Sequence, residues 1–159
     1  MRLVIACVGK LREQGYALAA AEYQKRLARF GGVDIFECQD LPEPPSPSEA
    51  LDIKVMSKEG EALLKGILPS DRVIAMAIGG KQYSSEEFAQ KLSDFALRGE
   101  KRVVFVIGGS LGLSAEVLAR ADERISLSKM TFPHQLARVI LLEQIYRAEK
   151  IMHNERYHK

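Results

Sequence analysis

Two short stretches carry residue types that suit chemistry. In Gly108-Gly109-Ser110-Leu111-Gly112, three glycines follow the apolar run Val103–Ile107. Glycine lets a ligand approach the backbone closely, because no Cβ intervenes; Gly108, at the end of that run, is thereby expected to leave space for a ligand. About twenty residues further on, Ser128 to Pro133 form a polar loop between a second short strand and a long apolar helix. A third turn, Met76–Gly80, closes another apolar run. Turns that leave the carboxyl ends of parallel strands are where α/β proteins bind ligands. The three together predict one binding site at one edge of a sheet.

The histidines His134, His153 and His158 all fall in the C-terminal stretch, interspersed with Arg138, Arg147, Arg156 and Tyr157. Imidazole changes charge near neutral pH, so this clustering predicts a catalytic or RNA-facing surface. The competing reading of the final NERYHK is a frayed polar tail. The glycine spacing is G-G-x-x-G, not G-x-G-x-x-G, and Ser128 stands where a dinucleotide fold needs an acidic residue. No G-x-x-x-x-G-K-[ST] motif occurs. Nicotinamide dehydrogenases and P-loop nucleotidases are therefore poor fits. Cys7 and Cys38 lie in expected strands without metal-ligand spacing and read as inert, buried thiols. No metal site is expected.

The elements that must position these residues alternate along the chain. Leu3–Val8 reads as a strand buried on both faces, Gln14–Phe30 as a helix stopped by Gly31-Gly32, and Val33–Cys38 as a second strand. Four prolines crowd into Pro42–Pro47, a stiff exposed loop. Ser48 is expected to cap a helix through Ile67, with Ala50, Ile53, Met56, Leu63, Leu64 and Ile67 inward. Val73–Ile78 is the third strand. Ser84 or Ser85 opens a helix closing at Gly99. Val103–Ile107 and Arg124–Leu127 are the fourth and fifth strands. The fold class is α/β, with a mainly parallel five- to six-stranded sheet and helices on both faces.

At 159 residues, 47% hydrophobic and 28% charged, the chain is expected to form one domain, residues 1–159. Its net charge of +2 permits contact with nucleic acid. Charge alone is too weak to hold naked RNA, so shape or a larger docking surface must supply the affinity. The first apolar run is too short for a signal peptide, and none approaches the roughly 20 residues that span a bilayer. A cytoplasmic protein without a membrane partner is expected. In the last helix Pro133 is placed at the first helical position, and Val139-Ile140-Leu141-Leu142 points in four directions. A helix apolar all round needs cover from several sides, which predicts a homodimer.

With these residues in view, the chain resembles the SPOUT-class RNA methyltransferases, and within them the ribosomal large-subunit methyltransferase H family. The resemblance spans the full length. It is most specific in VIGGSLGLS (106–114), SLSKMTFPHQLARVILLEQIYRA (126–148) and the terminal YHK (157–159). It implies a C-terminal trefoil knot and a bent S-adenosylmethionine held by three loops at the knot. Matched position by position, the cofactor-binding residues are Met76, Gly108, Leu127, Ser128, Lys129, Met130, Thr131 and Phe132. The implied acceptor is N3 of a pseudouridine in the helix 69 loop of 23S rRNA, within an assembled ribosome. The implied catalytic residues are His134, Tyr157 and His158, with the Tyr-His-basic ending brought near the cofactor across a dimer interface. His134, Glu143 and His158 are all candidates for the base that removes the N3 proton. Two alternatives are carried forward. A ribose 2′-O-methyltransferase of the same class would show N-x-G-x-x-x-R on an early strand, whereas the only asparagine here is Asn154. The other is a non-enzymatic ribosome-binding factor that retains the knot.

Overall fold

The computed structural model describes residues 1–157. Five strands, β1 (Arg2–Val8), β2 (Val33–Cys38), β3 (Arg72–Lys81), β4 (Arg102–Ile107) and β5 (Glu123–Ile125), alternate with α1 (Gln14–Leu27), α2 (Glu49–Leu64), α3 (Ser85–Leu97), α4 (Ala115–Arg120) and α5 (His134–Met152). The sheet order is β2-β1-β4-β3-β5, and every pairing is parallel. Parallel strands joined by crossover helices are covered on both faces, which is why β1 and β4 are continuous apolar runs.

Alternation along the strands divides the core in two. Leu3, Ile5 and Cys7 of β1, with Val103, Phe105 and Ile107 of β4, face α1, α3 and α5. Val4, Ala6 and Val8, with Val104 and Val106, face α2 and α4 through Leu63 and Val117. Ile5, Ile74 and Phe105 are completely removed from solvent; each such side chain contributes about 1.5–3 kcal/mol of transfer free energy.

Local signals act as expected at several helix ends. Ser84 and Glu87 form a reciprocal capping box that starts α3, and Ser48 caps α2. Elsewhere the structure differs. The first helix stops at Leu27 and tightens into a 3-10 turn, Ala28–Phe30, before left-handed Gly31. Pro133 is the N-cap of α5 rather than its first residue, and its carbonyl accepts from Ala137 N–H at 2.9 Å. Of the residues expected inward on α2, Ala50 and Ile53 are exposed, whereas Leu63 is buried. The expected fifth strand, Arg124–Leu127, shifts to Glu123–Ile125.

The four-sided apolar run of α5 is covered mostly within its own chain. Leu141 and Leu142 are buried and Val139 nearly so, because α5 packs on α1, α3 and β4; only Ile140 keeps partial exposure. Internal burial accounts for three of the four directions that had pointed to a partner subunit. No helix among the described residues is long and apolar enough to cross a membrane.

Candidate cofactor and acceptor site

The carboxyl ends of β3, β4 and β5 enclose a cavity of about 700 Å³. Its walls are Met76–Ile78, Ile107–Leu113, Leu118 of α4, Ile125–Ser128, and Met130–His134 with Ala137. The three sequence turns thus meet in space. The size falls within the range of small-molecule sites, as does the mix of apolar walls with few polar groups.

Each wall has a local cause. Beyond Met76, β3 departs from β5 and rejoins it at Lys81, whose carbonyl accepts from Ser126 N–H at 3.0 Å. Gly80 makes this return possible: a Cβ there would lie 2.6 Å from the Ile125 carbonyl carbon and 2.7 Å from that of Arg124, so the backbones would have to move apart. After β4 the chain doubles back, Gly112 N–H donating to the Gly109 carbonyl at 3.1 Å, with Gly112 at φ +97°. After β5, Ser126 Oγ donates to the Ser128 carbonyl at 2.7 Å, and Ser128 Oγ accepts from Met130 N–H at 3.0 Å. These short side-chain bonds shape the loop where no ladder can.

Gly108 behaves differently from its sequence expectation. A Cβ on it would meet the Gly112 carbonyl oxygen at 2.4 Å and its carbon at 2.6 Å. The glycine is required by its own turn, not by open ligand space. Gly112 is the position left open, since a Cβ there would meet nothing within 4 Å.

Of the eight residues expected to hold the cofactor, Met76, Gly108, Leu127, Ser128, Met130, Thr131 and Phe132 line the cavity. Lys129 does not; it is exposed on the outside of the loop. Sequence reasoning missed Ser126, Leu118 and Ala137. Ser126 carries a signal in its spacing from Ser128, whereas Leu118 and Ala137 reach the wall only through helix packing. Among the described residues His134 is the one titratable group in the wall.

The two described C-terminal histidines do not converge. His134 and His153 sit at opposite ends of α5, roughly 28 Å apart at 1.5 Å per residue. His153 Nδ1 lies 2.8 Å from the Glu149 carbonyl, and its ring stacks at 4.8 Å on Phe30. His158 lies outside the described residues. Tyr157 packs edge-on against Tyr146 at 4.9 Å, beneath the Arg147 guanidinium, and donates to Glu143 Oε1 at 3.2 Å. Burial, with Tyr23 and Glu143 beside it, pushes its phenol well above the ordinary value. Tyr146 is three turns along α5 from His134, about 18 Å, so Tyr157 does not reach the cavity of its own chain.

Two other polar candidates are committed elsewhere. Arg138, expected on an RNA-facing surface, is only 2% exposed; it donates to Glu37 Oε1 at 2.6 Å and to the Gly9 carbonyl at 2.7 Å. A helix turn carries it inward, beneath the loop after β1. Glu143 accepts from Arg147, Gln144 and Tyr157, and is not in the cavity wall. Burial pushes the Cys7 thiol up to about 12, so it stays protonated and unreactive. Among the described residues no group of three or more His, Cys, Asp or Glu is placed to hold a metal ion.

Comparison with known proteins agrees over the whole length. The family described as predicted SPOUT methyltransferase matches residues 1–158. The chain is similar to proteins named ribosomal RNA large subunit methyltransferase H: 52% identical to that of Exiguobacterium sp. over 159 residues, and 50% identical to those of Clostridium novyi and Bifidobacterium animalis subsp. lactis. Each alignment covers all of both chains.

Proposed function

The chain belongs to the SPOUT methyltransferase family, within its ribosomal RNA large subunit methyltransferase H group, and on that premise we propose that it transfers a methyl group from S-adenosylmethionine to large-subunit rRNA. The acceptor is N3 of a pseudouridine in the helix 69 loop of 23S rRNA, on assembled ribosomes in the cytoplasm. The whole chain acts as one methyltransferase unit. The observation that carries this reading is the cavity built by three loops at the carboxyl edge, with no carboxylate or lysine in its wall among the described residues.

That wall fits the cofactor. It offers apolar surface for an adenine and a thioether chain, hydroxyls from Ser110, Ser126, Ser128 and Thr131, and backbone groups made accessible at Gly112. S-adenosylmethionine supplies an already activated methyl group on a cationic sulfonium. The residues therefore need to exclude water and align the acceptor nitrogen, carbon and sulfur; orientation of this kind contributes roughly 7–11 kcal/mol in favourable cases. Met76, Leu127 and Phe132 exclude water, and the Ser126–Ser128–Met130 bonds shape the loop. His134, half-buried in the wall, is positioned to take the N3 proton directly or through one water.

A trefoil knot belongs to the same reading. Its support is the close crossing of Gly80 and Lys81 with Arg124 to Ser126. A homodimer belongs to it as well, on a more specific ground than apolar surface. Tyr157 packs on Tyr146, which lies about 18 Å along α5 from His134, so an RNA-positioning role for Tyr157 and His158 needs a second copy to bring its tail to the cavity.

The test is calorimetric titration with S-adenosylmethionine, followed by methyl transfer to intact ribosomes and to free 23S rRNA. The reading expects binding with one site per chain and transfer to ribosomes only. Binding to ribosomes without cofactor binding or transfer would leave the non-enzymatic factor, and methylation at a ribose oxygen the 2′-O alternative.

A further inference from the structure

Glu59 is a buried carboxylate that the proposed reaction does not use. It is only 4% exposed, lies on α2, and makes no salt bridge among the described residues. Stability alone gives no reason to keep it, because an ionised carboxylate loses hydration on burial and regains it only through charge partners or several hydrogen bonds. Glu59 has one such bond: Oε1 accepts from Leu41 N–H at 3.0 Å, at the root of the proline loop. Burial pushes its carboxyl above the ordinary range, Asp40 adding to the effect and the Leu41 N–H opposing it.

The second oxygen points to a different role. A Cβ built on Gly109 would lie 2.9 Å from Glu59 Oε2 and 3.2 Å from Val8 Cγ1, so the carboxylate sits directly against the Gly109 backbone. The next residue, Gly60, does the same at the other end of the loop. A Cβ on Gly60 would meet Ser114 Oγ at 2.3 Å and Ser114 Cβ at 3.0 Å. Ser114 in turn caps α4 by accepting from Val117 N–H. Two consecutive residues of α2 thus seat both ends of Gly109–Ser114. Gly109 to Leu113 of that segment form cavity wall, while Glu59 and Gly60 do not.

We propose that Glu59 is a positioning residue of the cofactor site: its carboxylate holds Gly109 from beneath and ties it to Leu41, fixing the turn that the cofactor meets. The proposal rests on the assignment of the cavity to S-adenosylmethionine. Glu59 touches neither cofactor nor acceptor, and acts through Gly109 alone. Loss of the side chain leaves Leu41 N–H unpaired and Gly109 free to sink toward α2. A glutamine keeps the shape and the acceptor and so keeps the turn in place.

The experiment compares Glu59→Ala, Glu59→Gln and Leu63→Ala in the full chain. Leu63 lies one turn further along α2 and is buried in the core away from the cavity, so it reports general loosening of the helix. Calorimetric titration with S-adenosylmethionine should show Glu59→Ala at least tenfold weaker than native, with Glu59→Gln within threefold and Leu63→Ala within twofold despite a lower melting temperature. In parallel, amide hydrogen exchange without cofactor should show Leu41 and Gly112 losing protection in Glu59→Ala but not in Leu63→Ala. Glu59→Ala binding within twofold of native, or Leu63→Ala weakening as much, overturns the proposal. So does Glu59→Gln failing to restore affinity. If the native chain does not bind S-adenosylmethionine, the functional reading falls, and the exchange of Leu41 and Gly112 still decides whether Glu59 positions the turn.

Discussion

Replacing Gly108 by alanine tests whether the cavity wall is limited by its own backbone. The added Cβ would stand 2.6 Å from the Gly112 carbonyl carbon. Carbon–carbon contacts settle at about 3.5–4.0 Å, so the Gly112 backbone must retreat by about 1 Å. That retreat strains the Gly112 N–H to Gly109 bond, a bond of about 1 kcal/mol net, within an overpacking cost of about 1–3 kcal/mol. A central value of about 2 kcal/mol has two ways to appear. If the apo turn stays native and strained, the melting temperature falls by about 4–8 °C, at 2–4 °C per kcal/mol for a chain of this size. If the turn relaxes, stability is kept and the cofactor must rebuild it, which weakens binding by about 30-fold. Scanning calorimetry and titration with S-adenosylmethionine together capture the whole cost. Gly79→Ala is the control, because a Cβ there meets nothing within 4 Å and its φ is not positive. A Gly108→Ala protein that matches native in both measurements would refute the account of the turn.

Three further outcomes are expected. Deleting Arg156–Lys159 should leave S-adenosylmethionine affinity within about threefold, roughly 0.6 kcal/mol, while methyl transfer to ribosomes drops by about two orders of magnitude as acceptor alignment is lost; near-native transfer would mean Tyr157 only packs on Tyr146. Ile140→Glu should yield a folded monomer by sedimentation, whereas Leu142→Glu, at a site fully buried within its own chain, should lose the fold itself; an unaltered dimer in Ile140→Glu would remove α5 from the interface. Burial raises the Glu59 carboxyl above the ordinary range, so the folded state binds its proton more tightly than the unfolded chain. The resulting stability is complete below the unfolded value of about 4.3 and is lost as pH rises through the folded value. Glu59→Gln does not titrate there and should gain on native as the pH is raised from about 4 to about 7; a constant melting difference across that range would show that Glu59 titrates as it does in the unfolded chain.

The strands, their parallel class and the helix caps were legible in the amino-acid sequence because each depends on neighbours along the chain. Leu3–Val8 and Val103–Ile107 are apolar without alternation, which only a sheet buried on both faces accommodates. Ser84 and Glu87 are spaced for a capping box and form one. Gly108–Gly112 and Ser128–Pro133 announced the loops of the cavity, since glycines and small polar residues after apolar runs mark strand ends. Tertiary structure decided what those signals could not carry. His134 and His153 share a sequence neighbourhood, yet a rigid helix holds them at opposite ends. Arg138 reads as a surface cation, but its position on α5 turns it under the β1 loop to meet Glu37. Lys129 sits among wall residues in sequence and outside the wall in space. Glu59, with nothing around it in the chain to set it apart, is placed beneath Gly109 only by the packing of α2 against β1, β2 and α4. Local spacing reports the periodicity of an element, whereas which side chains meet across elements depends on sheet order and helix rotation. Both are fixed by contacts distant in sequence.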